Sequence, residues 1–283
     1  LLQAKMPAVS VLKRCEPKVI SVKNWFCAFL ISGWEKSPSG PTIIRTSLSM
    51  LLTWYKGILF PFWQCAINFV LGRSCFIKAS KNKKLLKKWD IKSNSFEGYL
   101  FPDTYLLAED VDAEGVIDKM VSEYNKNITP SMRKRMIELG LSEGEVLTLA
   151  SIIEGEAIYD TERPRISGVY HNRLKKRMRL QADPTIQYII EDSPRRLLNK
   201  DLKIKSPYNT YLNYGLPPGP INNPGIESIK AALYPEPIDF LFFVARGDGY
   251  HTFRKTEKEH NIAKKEFQKI FKHSILQSYF YLD

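Results

Sequence analysis

LSEGEVLTLASIIEGEA, the stretch from Leu141 to Ala157, decides how this chain is read. Ser142 followed three residues later by Glu145 has the spacing of a capping box, in which each side chain satisfies a backbone N–H left free in the first turn. A helix is predicted to begin there. Val146, Leu147, Leu149, Ala150, Ile152 and Ile153 follow, apolar over more than half of the helical circumference, so the helix is expected to be buried on most sides. It ends on two carboxylates, Glu154 and Glu156. Charged side chains mostly lie on the solvated edge of such a helix. Glu154, however, stands four residues after Ala150 and seven after Leu147, beside aliphatic groups that would raise its pKa by desolvation.

Outward from this helix the signals are regular. KKLLKKWDI reads as a short helix, and FEGYLFPDTYLL (Phe96 to Leu107) as an extended aromatic segment in which Pro102 forbids a helix interior. AEGVIDKMVSEYNKNI places Val116, Ile117, Met120, Val121 and Tyr124 on one helical face; Thr129 and Pro130 then open a helix that Gly140 closes. Beyond Glu156, Thr161 to Lys176 predicts a helix with Ile166, Val169, Tyr170 and Leu174 inward, and Asp183 with Pro184 starts a short one. Ser206 to Gly225 carries five prolines and three glycines in 20 residues, with tyrosines along it, and is read as an ordered binding loop. A helix near Ile226 to Leu233 precedes DFLFFVARGDGYHTF, a β-hairpin with a buried first strand and a turn at Gly247 to Gly249. Thr256 with Glu259 caps a terminal helix. Helices with a few strands outside βαβ order indicate an α+β fold, a mixed helical catalytic domain with a β-hairpin and long binding loops.

Composition divides the chain. Of a net charge of +12, all is carried by residues 1–90, which hold 15 basic and 3 acidic residues; the remainder holds 27 of each. Every cysteine (Cys15, Cys27, Cys65, Cys75) and every tryptophan also lies in that part. No CxxC or HExxH spacing occurs, so no metal, no cofactor and no disulfide framework is expected. The neutral remainder has no nucleic-acid motif, which argues against a nucleic-acid partner for the basic run. Ser47 to Gly72 approaches membrane-span length but is interrupted by Lys56 and Pro61. Residues 1–77 form an atypical basic N-terminal region, expected either to associate with a membrane or not to fold natively, as a fragment or an out-of-frame stretch would not; residues 78–283 form the catalytic domain.

Five segments, EGYLFPDTY, LASIIEGEA, NRLKKRMRLQADPTIQY, SPYNTYLNYGLPPGPINNPG and FVARGDGYHTF, occur in this order. Together they resemble the endolytic murein transglycosylase family, the MltG or YceG-like proteins of bacteria, over roughly Lys78 to Phe271. The resemblance implies a single-pass inner-membrane protein whose extracytoplasmic domain cuts nascent peptidoglycan strands internally beside cell-wall synthases, the penicillin-binding proteins. It also implies a catalytic glutamate at Glu154. The family's membrane anchor and LysM-like subdomain have no recognisable counterpart in residues 1–77.

Such an enzyme breaks the bond between N-acetylmuramic acid and N-acetylglucosamine without water, the muramyl O6 attacking its own anomeric carbon to leave a 1,6-anhydro end. One carboxyl group serves both steps, giving a proton to the leaving oxygen and then taking one from O6. Glu156, about 200° around the helix from Glu154, is therefore read as structural. Glu97 and Asp103 could orient sugars or supply the second carboxylate of a muramidase, the alternative chemistry; a non-catalytic glycan-binding scaffold is the alternative of another class. Side chains that combine hydrogen bonding with a flat surface suit a glycan. Gln181, Thr185, Tyr208, Asn209, Thr210 and Tyr211 are the candidates, with Glu97, Tyr99 and His251.

Overall fold

The computed structural model of the chain describes residues 18–21, 73–107 and 111–280. The interrupted apolar stretch from residue 47 to 72 lies outside them. Among the described residues no helix is long and apolar enough to cross a membrane. The fold is α+β, with nine α-helices and two two-stranded antiparallel sheets in the described residues.

A smaller layer comes first. Helices α1 (Arg73–Ala79) and α2 (Lys83–Lys88), strand β2 (Thr104–Leu107) and helix α3 (Ala113–Asn127) bury Phe76, Leu86, Phe96, Leu100, Ile117 and Met120 among themselves. Strand β1 (Lys18–Ser21) pairs antiparallel with β2, Lys18 opposite Leu107 and Ser21 opposite Thr104. All five apolar residues assigned to the inner face of α3 are buried. Its last one, Tyr124, meets Tyr99 edge-on at 5.5 Å and joins this layer to the main core.

The main core surrounds one helix. After α4 (Pro130–Leu139), closed by Gly140 in the left-handed conformation at φ 67°, the predicted capping box forms in full and α5 (Glu143–Glu156) follows. Every residue from Val146 to Ile153 is buried. Full burial of each large aliphatic side chain stabilises the fold by about 1.5–3 kcal/mol, so this helix is the chief source of apolar stabilisation. Helices α6 (Arg163–Lys175), α7 (Asp183–Ile189) and α8 (Ile226–Leu233) pack around it.

The proline-rich loop is a strap along α5. Its Ile221 N–H donates to Ser151 Oγ at 3.0 Å, and Asn222 Nδ2 donates to the Ser151 carbonyl at 2.9 Å. Asn223 Oδ1 accepts from the N–H groups of Gly98 (2.7 Å) and Leu100 (3.2 Å), tying the aromatic segment down. Only glycine fits at residue 98, where φ is 90° and a Cβ would lie 2.4 Å from Pro220 Cγ.

Strands β3 (Phe242–Ala245) and β4 (His251–Arg254) form the predicted hairpin, with Phe243 opposite Phe253. Its first strand is not buried as expected. Phe243 meets Tyr170 of α6 edge-on at 5.8 Å and Phe242 stacks on His260 of α9 (Glu257–Phe280) at 5.3 Å, which leaves the strand half-covered on both faces.

Candidate active site

Two carboxylates leave the end of α5 in different directions. Glu154 is met by polar groups at its carboxylate. Its Oε2 accepts from the Gly225 N–H at 3.1 Å, at the start of α8, and lies 3.3 Å from Arg163 Nη1. Arg163, itself only 7% exposed, is held further by Asp160 Oδ1 at 2.8 Å and Ser228 Oγ at 2.5 Å. Glu154 is thus an anchor between α5, α6 and α8, with both of its oxygens facing the guanidinium.

Glu156 meets a different set of groups. Between the two glutamates, Gly155 lets α7 come close: a Cβ there would stand 2.6 Å from Pro184 Cβ. This seats the first turn of α7 on the end of α5, and the Asp183 backbone N–H donates to Glu156. Tyr170 Oη donates to Glu156 Oε1 at 2.7 Å. Burial pushes the Glu156 carboxyl up to about 8, the Asp183 charge acts in the same direction, and the bonds from Tyr170 and Asp183 with the Arg173 charge offset only part of this. Tyr170 is itself raised well above an ordinary phenol by burial and by Glu156, so it stays a donor. As a whole the residue is half-buried.

Around it, Tyr211 Oη donates to the exposed Asp183 carboxylate at 2.5 Å. Arg173 is turned aside: its Nε donates to the Leu241 carbonyl and its Nη1 to the Leu180 carbonyl, both at 2.6 Å, and its guanidinium lies 5.1 Å from the Phe242 ring. Five residues along α7 from Asp183, a rise of about 7.5 Å, Tyr188 Oη donates to Glu97 Oε2 at 2.8 Å and its ring lies 4.9 Å from that of Tyr208. Burial raises Glu97 against the opposing effects of Tyr188 and Lys81. A tyrosine–carboxylate pair therefore stands at each end of α7.

The other candidates divide into two groups. Gln181 and Tyr211 border the Glu156 site, Gln181 exposed and in the left-handed conformation at φ 49°, its N–H bonded to the Thr210 carbonyl at 3.1 Å. Tyr208 and Glu97 form the second cluster. Thr185 and Thr210 instead face each other at 2.9 Å in the interior, and Asn209 gives its Nδ2 to the Leu202 and Ile204 carbonyls. These three hold the loop. Tyr99 is a core residue, 7% exposed. His251 Nδ1 lies 2.9 Å from Glu162 Oε2, and its backbone N–H donates to the same carboxylate at 3.0 Å, which pins the hairpin to the start of α6. Asp103 caps the Thr104 N–H in the smaller layer. Glu156, Asp183, Tyr170 and Tyr188 were not among the candidates. The segments LASIIEGEA and QADPTIQY contain three of them, but their meeting depends on how α7 docks. Among the described residues no cluster of histidine, cysteine, aspartate and glutamate is grouped to hold a metal ion.

Fold and site together define an α+β domain built around a buried helix whose last residue is a half-buried glutamate with a raised carboxyl. The chain belongs to the YceG-like family, whose model matches residues 53–266. It is 45% identical over 172 residues to the endolytic murein transglycosylase of Bacillus subtilis (strain 168), covering 60% of this chain and 48% of that protein. It is 32% identical over 197 residues to the endolytic murein transglycosylase of Streptococcus pneumoniae serotype 2 (strain D39 / NCTC 7466), covering 65% and 36%. The chain thus spans half or less of the length of these curated relatives. A crystal structure of a yceG-like protein from Listeria monocytogenes superposes with a TM-score of 0.63 at 39% identity, covering 69% of this chain and 68% of that one.

Proposed function

We propose that this domain cleaves peptidoglycan glycan as a lytic transglycosylase, with Glu156 as the group that gives and then takes the proton. The observation that carries the reading is the placing of the Glu156 carboxyl at the end of the LASIIEGEA helix, 2.7 Å from Tyr170 Oη and beside Asp183, where burial raises it to about 8, in a chain whose relatives are named for cutting murein. A general acid is most effective with a pKa near the working pH. At neutral pH Glu156 holds its proton, and passes it to the glycosidic oxygen as the bond to the muramyl anomeric carbon breaks. The resulting carboxylate accepts the O6 proton while O6 bonds to that carbon, so the 1,6-anhydro ring closes and Glu156 ends protonated. Tyr170 and the Asp183 N–H stabilise the carboxylate between the two steps. Tyr188, Tyr208 and Tyr211 supply flat, hydrogen-bonding surfaces for neighbouring sugars.

Glu154, which the motif alone singles out, is the competing assignment; its bonds to Arg163 and Gly225 favour an anchoring role. Asp183 beside Glu156 supports a second chemistry, in which it directs water and the domain is a muramidase. Mass spectrometry of fragments released from purified peptidoglycan by the full chain separates these readings. Anhydro ends that vanish in Glu156→Gln support the lyase; ends heavier by one water support the hydrolase; anhydro ends that persist in Glu156→Gln and vanish in Glu154→Gln return the role to Glu154. Retention on peptidoglycan with no fragment released would leave the glycan-binding scaffold. Residence at the bacterial inner membrane, with the domain outside and penicillin-binding synthases as partners, is part of the same proposal, and membrane fractionation with crosslinking in cells tests it.

A further inference from the structure

Helix α6 runs out into a basic turn, Lys175, Lys176, Arg177 and Arg179, all exposed. Such a run is usually a solvated face. Three observations set this one apart. Elsewhere in this domain the exposed Arg165 and Arg246 have acidic partners, Glu236 and Asp248, each at 2.9 Å. The four side chains of the basic turn make no ion pair with a carboxylate among the described residues. Second, Arg177 adopts the left-handed conformation at φ 51°, unfavourable for a residue with a Cβ, and is kept there by backbone bonds from its own N–H to Leu174 and from Met178 to Arg173. Third, the turn borders a cavity of about 490 Å³ lined by Leu174, Arg177, Met178, Tyr214 and Gly215. The Arg179 guanidinium stands 4.8 Å over the Tyr214 ring, which is 65% exposed.

The cavity is lined from the same helix and the same loop that supply the Glu156 site. Leu174 lies one helical turn beyond Tyr170, the donor to Glu156, and Tyr214 three residues beyond Tyr211, the donor to Asp183. Three residues reach at most about 10 Å even when extended, so in this turn Tyr211 and Tyr214 lie within that distance of each other. The floor is aliphatic, one wall is aromatic and the rim is cationic, so the complementary ligand is a short anionic peptide with small apolar side chains. A muramyl sugar carries such a peptide on its lactyl group.

We propose that this cavity is the subsite for the peptide stem, its carboxylates meeting Arg177 and Arg179 and its methyl groups resting on Leu174 and Met178. The inference rests on the peptidoglycan reading and adds that the enzyme distinguishes stem-bearing from bare glycan. Two screened contacts of this kind give a preference of roughly tenfold.

The test compares stem-bearing strands with strands stripped of peptide by an amidase, for the parent full chain, for Arg177→Glu/Arg179→Glu, and for the neutral Arg177→Gln/Arg179→Gln, with melting curves to establish folding. Binding by co-sedimentation and release of anhydro ends are both read. The parent is expected to favour stem-bearing strands roughly tenfold, less as salt rises, and the ratio should fall to near one in both variants. A parent ratio near one, or a ratio that survives both substitutions, overturns the subsite. A binding ratio that responds to the arginines while no anhydro ends appear upholds the subsite and sinks the transglycosylase reading instead.

Discussion

Replacing Glu156 with glutamine should stop glycan cleavage and make the protein more stable, an uncommon pairing that follows from the position of one proton. The carboxyl stands at about 8 in the folded protein against 4.5 when unperturbed. The folded state therefore binds this proton more tightly than the unfolded chain. The stability it contributes is complete below pH 4.5 and is lost as pH rises through 8, at about 1.4 kcal/mol per pH unit. At pH 7 the parent has lost about 3 kcal/mol relative to a group that never ionises. Glutamine is such a group and can still accept from Tyr170 and the Asp183 N–H. Thermal melts across pH 5 to 8 should show the parent declining and Glu156→Gln flat, with a gain at pH 7 of up to roughly 6–12 °C for a domain of this size. Glu154→Gln should go the other way. It removes the charge facing the buried Arg163 and is expected to lose about 1–3 kcal/mol while keeping measurable activity. A Glu156→Gln protein that melts with the parent's pH slope would falsify the protonated carboxyl; one that still forms anhydro ends would remove it from the chemistry.

Three further outcomes are expected. The pH profile of kcat/KM should fall above about 8 as Glu156 ionises, and Tyr170→Phe should move that limb to higher pH, because the lost hydroxyl bond favoured the carboxylate. A profile unchanged in Tyr170→Phe counts against the assignment. Gly155→Ala puts a methyl 2.6 Å from the Pro184 ring and should cost about 1–3 kcal/mol in urea unfolding, with a loss of activity as α7 shifts. Asn223→Ala leaves the Gly98 and Leu100 N–H groups without their acceptor; a loss of about 2–5 kcal/mol is expected, and parental stability would show that the strap does not hold the aromatic segment.

What could be read along the chain was local. The capping boxes at Ser142 and Thr256, the Thr129 to Gly140 helix and the face of α3 depend on neighbours within a turn or two, and each forms as expected. The glycan-binding candidates show the limit of residue type as a guide. Asn and Thr side chains that suit sugar hydroxyls equally suit backbone carbonyls and one another, and Asn209, Thr185 and Thr210 are spent in that way, on Leu202, Ile204, Ala182 and the threonine pair itself. The rotation between Glu154 and Glu156 was also legible, and they do face apart. The partners of Glu156 were not, because the docking of Pro184 on Gly155 joins segments 29 residues apart that share no local signal.

On the proposed activity, the short spacing of the two glutamates becomes intelligible from the needs of a lyase. One group must act first as a proton donor and then as an acceptor, so neither form can be strongly preferred. A cation seated directly on the carboxyl would keep it ionised, and complete burial without donors would keep it neutral. Arg163, one of two buried guanidinium groups near the end of α5, is taken up by Glu154, Asp160 and Ser228. Arg173, the other, spends its donors on the Leu241 and Leu180 carbonyls and reaches Glu156 only through its field. Glu156 is left with two neutral donors and one neighbouring carboxylate, a balance that puts both protonation states within reach near neutral pH. On the proposed assignment Glu154 serves by holding α6 and α8 against the end of α5 rather than by touching substrate.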